Sequence, residues 1–123
     1  YTWSTRQVVG HMDDAERVFG CRALRFARGD ATPLPGFDEG PYVEAADFDR
    51  LPLAKLVDGF EASRRSNLAL FDGLDEAAWS RGGEASGAWI TVRALAAVII
   101  GHARHHTTIL RARFEASQVG PLG

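Results

Sequence analysis

The sequence has a single cysteine, Cys21, in 123 residues. That excludes an internal disulfide and a cysteine-only zinc site. No apolar run approaches the roughly 20 residues of a membrane helix, so no membrane partner is expected. No basic stretch followed by an apolar one opens the chain. No signal peptide is read, and a cytoplasmic location is the expectation. Lys55 is the sole lysine among fourteen basic residues, and sixteen acids leave a formal charge of −2. The bases are scattered, so the basic face that nucleic acid requires is lacking. There is no P-loop, no Gly-rich dinucleotide fingerprint and no H-E-x-x-H motif. No alternating pattern of strand length is seen either.

What is present is the composition of a soluble globular protein, 46% apolar and 24% charged. The length suits one domain over residues 1–123, burying roughly two-thirds of its unfolded surface. The chain opens on Tyr1, which fits the interior of a longer protein.

Three helical segments are predicted. The first covers about residues 5–28. Ser4 and Gln7 have the spacing of a capping box, and Trp3 and Val8 that of a hydrophobic staple. Its inward stripe runs Val8, His11, Ala15, Val18/Phe19, Arg22, Phe26. The second starts near Pro52, carries Leu53, Leu56, Val57, Phe60, Arg64, Leu68 and Phe71 on one face, and closes at Gly73. The third starts with Thr91 as N-cap and ends near Phe114, with a stripe of Val92, Leu95, Ala96, Ile99, His102, His106 and Ile109/Leu110. Between the first two lies a long loop, residues 29–51, too rich in Pro and Gly for a helix. Such a loop is usually functional or disordered, and Phe37, Tyr42 and Phe48 suggest that it packs down on something. Residues 75–79 suit a single turn and residues 80–88 a flexible loop. The fold class is therefore all-α, an up-and-down bundle. Three helices leave it incomplete; a helix before Tyr1 or a partner chain would fill the core.

The histidines carry the chemistry. His102 and His106 are four residues apart, about 40° around the helix and about 6 Å along it. Two imidazoles so placed can converge on one ion at about 2.0–2.1 Å. Both lie on the inward stripe, as His11 does on its own helix. Packing the first helix against the third would unite three neutral nitrogen ligands, which suit Zn²⁺, Ni²⁺, Fe²⁺ or Cu²⁺. Three protein ligands leave a position open for water or a thiol. His105 lies on the flank of the stripe and is given a supporting or surface role. The bland alternative is three histidines that hydrogen-bond to backbone or to one another, which is costly if all three are buried without polar partners.

The run WSTRQVVGHMDDAERVF, followed later by TVRALAAVIIGHARHHTTIL, resembles the DinB-like (YfiT-like) superfamily of metal-binding four-helix bundles. The resemblance spans nearly the whole chain, including PLPGFDEGPYV. It implies a metal triad at His11, His102 and His106, with Zn²⁺ or Ni²⁺ as the first candidates. It also implies a helix before the Trp-Ser start, a homodimer, and a small-molecule substrate. The activity implied is that of a metal-dependent transferase using a low-molecular-weight thiol such as bacillithiol or mycothiol, or of a hydrolase.

Other residues are weighed against this. Asp14, three residues beyond His11, has the spacing to orient a ligand from behind. Asp13, Asp14 and Glu16 otherwise read as a solvated face. Asp38 and Glu39 could lie over the site and act as a general base. Cys21 is about 15 Å along the helix from His11, too far to join it, and reads as a small core residue. Trp3, Trp79 and Trp89 are expected to plug helix ends. Three functions remain: a metal-dependent enzyme, a non-enzymatic metal-binding or dimerisation module, and a metal-free helical protein.

Overall fold

Ser4 starts the first helix as its spacing predicts. In the computed structural model, which describes residues 2–119, the Ser4 hydroxyl accepts from the Gln7 backbone N–H at 3.1 Å. The Gln7 side-chain oxygen accepts from the Ser4 N–H at 2.8 Å, which completes the capping box. Helix α1 then runs Thr5–Ala27. Helix α3 runs Leu53–Asp72, α4 is the single turn Glu76–Ser80, and α5 runs Val92–Val119. Thr91 caps α5 by accepting from the Ala94 N–H at 3.1 Å. No helix of the described residues is long and apolar enough to cross a membrane.

Helix α1 packs against both α3 and α5. Its buried positions follow the predicted stripe: Val8, His11, Ala15, Arg22 and Phe26 are all buried. Two apolar clusters result. One gathers Ala23, Phe26, Ala27, Ala78, Ala85, Val92 and Leu95 at the C-terminal end of α1. The other gathers Val9, Val43, Phe48 and Leu56 at its N-terminal end. Leu68 on α3 and Ile100 and Phe114 on α5 are large apolar side chains left exposed.

Four expectations are corrected. The segment 29–51 contains helix α2, Glu39–Ala46, and a 3₁₀ turn, Phe48–Arg50. Gly40 and Pro41 fall in the first turn of α2, where a missing N–H costs no helical hydrogen bond. Asp38 caps that turn by accepting from the Gly40 N–H. The helix places Val43 in the N-terminal cluster, and tertiary burial outweighs the weak local propensity.

The second correction is a hairpin where a flexible loop was expected. Strands β1 (Gly82–Ala85) and β2 (Ala88–Thr91) pair antiparallel with Ala85 opposite Ala88. The two linking residues, Ser86 and Gly87, have φ of 54° and 79°, the left-handed pair that a tight hairpin turn needs. Gly83 lets the Phe26 ring come so close that a Cβ there would stand 2.4 Å from it. The hairpin is thus held on α1 by packing, and Leu34 adds a bridge to Ala85.

The third correction is the end of α5, which continues past Phe114. The fourth concerns single residues. Cys21 is exposed, one position off the buried stripe, and so is Trp89. Glu16, expected on a solvated face, is buried and bonded to Arg64 and Asn67 of α3.

Candidate metal centre

The capping box sets where α1 begins, and so where His11 points. His11 is 4% exposed and His106 5% exposed, one from each of two packed helices. The His11 Nε2 lies 2.9 Å from the His102 Nε2, and the His106 Nε2 lies 3.1 Å from that same atom. The ligand atoms of all three lie within 4.8 Å of one another and form a group that could hold a metal ion. Nitrogens bound tetrahedrally at about 2.0–2.1 Å stand about 3.3 Å apart. The two separations from His102 are within a few tenths of an ångström of that spacing, and His11 and His106, within 4.8 Å of each other, have only to close in for the three to fit such an ion. Among the described residues the buried Nδ1 of His11 has no hydrogen-bond partner.

Burial first, and then the charge of neighbouring histidines, together lower the pKa of each of the three imidazoles from 6.5 to about 4. Glu39 acts in the opposite sense on all three. At neutral pH the rings are uncharged, the form that binds a metal.

The histidines line a cavity of about 510 Å³. Trp3 stands over His11 with ring centroids 5.0 Å apart, and Phe37 lies nearly parallel to His11 at 6.3 Å. Phe19 meets the His102 ring edge-on at 5.8 Å. Glu39, Arg22, Ser86 and His105 complete the lining. The glycine before His11 permits close packing beneath it, since a Cβ on Gly10 would stand 2.5 Å from the Phe48 ring.

Of the residues singled out in the sequence, His11, His102 and His106 are brought together. His105 is exposed at the rim, 5.0 Å from the His106 ring. Asp14 is not brought in. It belongs neither to the three-residue group nor to the cavity lining, because its position on α1 turns it away. Its carboxyl is pushed up by burial and then by the charge of Asp13. Cys21 is also outside the cavity, as its distance along α1 requires. Of the two loop carboxylates, Asp38 caps α2 while Glu39 reaches the cavity. Sequence reasoning missed Arg22 as a site residue. Its signal was an arginine on an otherwise buried stripe.

A helical bundle with three histidines from two helices converging at one cavity defines the class of protein. The chain belongs to the DinB superfamily, whose profile matches residues 1–110. Among solved structures it is similar to YfiT from Bacillus subtilis, described as a probable metal-dependent hydrolase with an unusual four-helix bundle topology. That likeness has a TM-score of 0.73 at 22% identity, covering 92% of this chain and 67% of YfiT. At this identity it shows the fold. No match was found among curated protein sequences.

Proposed function

We propose that the protein is a metal-dependent enzyme. His11, His102 and His106 would hold one divalent transition-metal ion, Zn²⁺ or Ni²⁺, and a small electrophile would be attacked by water or by a thiol. The observation that carries this reading is the convergence of three uncharged imidazoles, two buried and one half-buried, at the wall of a cavity. When bound, such an ion supplies Lewis acidity and makes water or a thiol nucleophilic near neutral pH.

The chain's own residues do the rest. The two helices fix the imidazoles before any ligand arrives, so little ordering remains to be done on binding. Trp3, Phe19 and Phe37 line the cavity and offer apolar surface to a substrate. Glu39 lies within electrostatic reach of all three rings and is the carboxylate placed to accept the nucleophile's proton. The description of YfiT favours water as nucleophile over a small thiol. A purely structural site would be closed by a fourth ligand. Among the described residues no further His, Cys, Asp or Glu joins the three, which speaks against that alternative.

Elemental analysis of tag-free protein, beside His11→Ala and His106→Ala, tests the reading. About one ion per chain is expected, lost in both variants. Hydrolysis of small esters and amides, with and without added thiol, then separates water from thiol chemistry. Protein that holds no ion even after reconstitution with Zn²⁺ and Ni²⁺ would end the enzyme proposal.

A further inference from the structure

Arg22 is a charged side chain buried in the wall of the histidine cavity. It is 8% exposed, and it is the only arginine or lysine among the described residues of the lining. Its Nη2 donates to the Pro35 carbonyl at 2.9 Å and makes a long contact with the Ser86 hydroxyl at 3.5 Å. No carboxylate among the described residues pairs with it. Its neighbours on α1 are different. Arg17 is paired with Asp13 and Arg25 with Asp30. The half-buried Arg64 on α3 is paired with Glu16. A guanidinium taken out of water without a counter-charge is costly, and an anion in the cavity offsets that cost.

The position of Arg22 says what such an anion belongs to. Its guanidinium carbon lies 5.7 Å from the Phe19 ring centre, and the other side of that contact chain is His102, 5.8 Å from the same ring. The cation and the histidine cluster are thus linked through the one Phe19 ring and line the same cavity. Charge is laid out along the cavity, with Glu39 acting on the histidines and Arg22 beyond Phe19. With one Nη2 hydrogen engaged by Pro35, the Nε–H, the Nη1 hydrogens and the second Nη2 hydrogen are left to donate, and either planar fork, Nε with Nη2 or Nη1 with Nη2, matches a carboxylate.

We propose that Arg22 is the anion receptor of this cavity, so that the substrate is a small electrophile bearing a carboxylate, held by Arg22 with its reacting carbon at the three histidines. The catalytic meaning rests on the proposed function; the anion binding does not. The residue is a specificity determinant and takes no part in bond making.

The test uses protein as purified and two probes of one shape, benzoate and uncharged benzamide, followed by NMR at the Arg22 Nε–H and by calorimetry. Benzoate is expected to move that resonance and saturate, while benzamide leaves it in place. Arg22→Gln, which removes the charge, is expected to weaken benzoate at least tenfold, and Arg22→Lys to recover part of the loss. If benzoate binds Arg22→Gln as well as it binds the unaltered protein, the proposal is overturned. Should binding then vanish in His106→Ala, the anion goes to the metal and the proposed function survives without Arg22. Loss in Arg22→Gln in a protein that holds no metal supports the receptor while the enzyme reading falls. If Arg22→Gln fails to fold, the unaltered protein decides: a shift with both probes, or with neither, overturns the proposal.

Discussion

The Nε2 atoms of His11 and His102 lie 2.9 Å apart, although the two residues are 91 positions apart in the chain. His102 also makes the 3.1 Å contact to His106, so it is the middle member of the cluster. Removing it should abolish the site. Zn²⁺ at a thousandfold excess over its dissociation constant should stabilise the unaltered protein by about 4 kcal/mol, by mass action on the folded state. His102→Ala should gain nothing. Thermal denaturation with and without Zn²⁺ checks this, and equal stabilisation of both proteins would place the ion elsewhere.

The acid limb of stability should come from the same three rings. Their folded pKa values of about 4 lie below the ordinary 6.5, chiefly through burial. Between these values the unfolded chain binds more protons than the folded one, so stability falls as pH falls. The contribution is whole above about pH 6.5 and is lost towards pH 4. Each ring adds at most about 1.4 kcal/mol per pH unit within that window. Urea titrations of metal-free protein at several pH values should show the slope, and His106→Gln should flatten it. A profile level from pH 7 to pH 5 would contradict the burial of the cluster.

Gly10→Ala sets two effects against each other. Alanine favours an exposed helix interior by about 1 kcal/mol. Here the new methyl would stand 2.5 Å from the Phe48 ring, which is itself buried among Val9, Val43 and Leu56. Overpacking of this kind costs about 1–3 kcal/mol, so net destabilisation is expected. Because His11 is the next residue, metal affinity should fall as well. Chemical denaturation measures the first effect, and a more stable variant would show that Phe48 yields freely.

The pair Glu16–Arg64 ties α1 to α3 with a 2.7 Å hydrogen bond, and Asn67 binds the other carboxylate oxygen at 2.7 Å. The Glu16 side chain is 2% exposed and that of Arg64 is 27% exposed. Arg64→Ala therefore leaves a carboxylate buried without its cation, at about 3–5 kcal/mol. Glu16→Gln leaves no buried anion and should cost less, about 1–2 kcal/mol. Urea midpoints of the two variants should rank in that order; the reverse order would mean that water reaches Glu16 freely.

The three long helices were legible because each carries its own signals. Ser4 with Gln7, Thr91, and apolar side chains at 3.6-residue spacing act within a few turns of one chain segment. His102 and His106 were legible as a pair for the same reason, since one helix sets their relation. Helix α2 was obscured by Gly40 and Pro41, whose breaking tendency depends on position, and a first turn tolerates both. The hairpin had a Ser86–Gly87 turn signal, but strands of four residues hold too few side chains to show alternation.

By itself, then, the sequence determined the helical class, the start of α1 and α5, and which histidines face inward, because those are local consequences of capping and periodicity. Tertiary packing alone decided that His11 meets His102, that Glu39 rather than Asp14 reaches the cavity, and that Arg22 is buried there with no carboxylate partner among the described residues. Each of these depends on how elements distant in the chain approach one another. That is governed by the fit of side chains such as Phe48 on Gly10 and Phe26 on Gly83, which no single segment encodes.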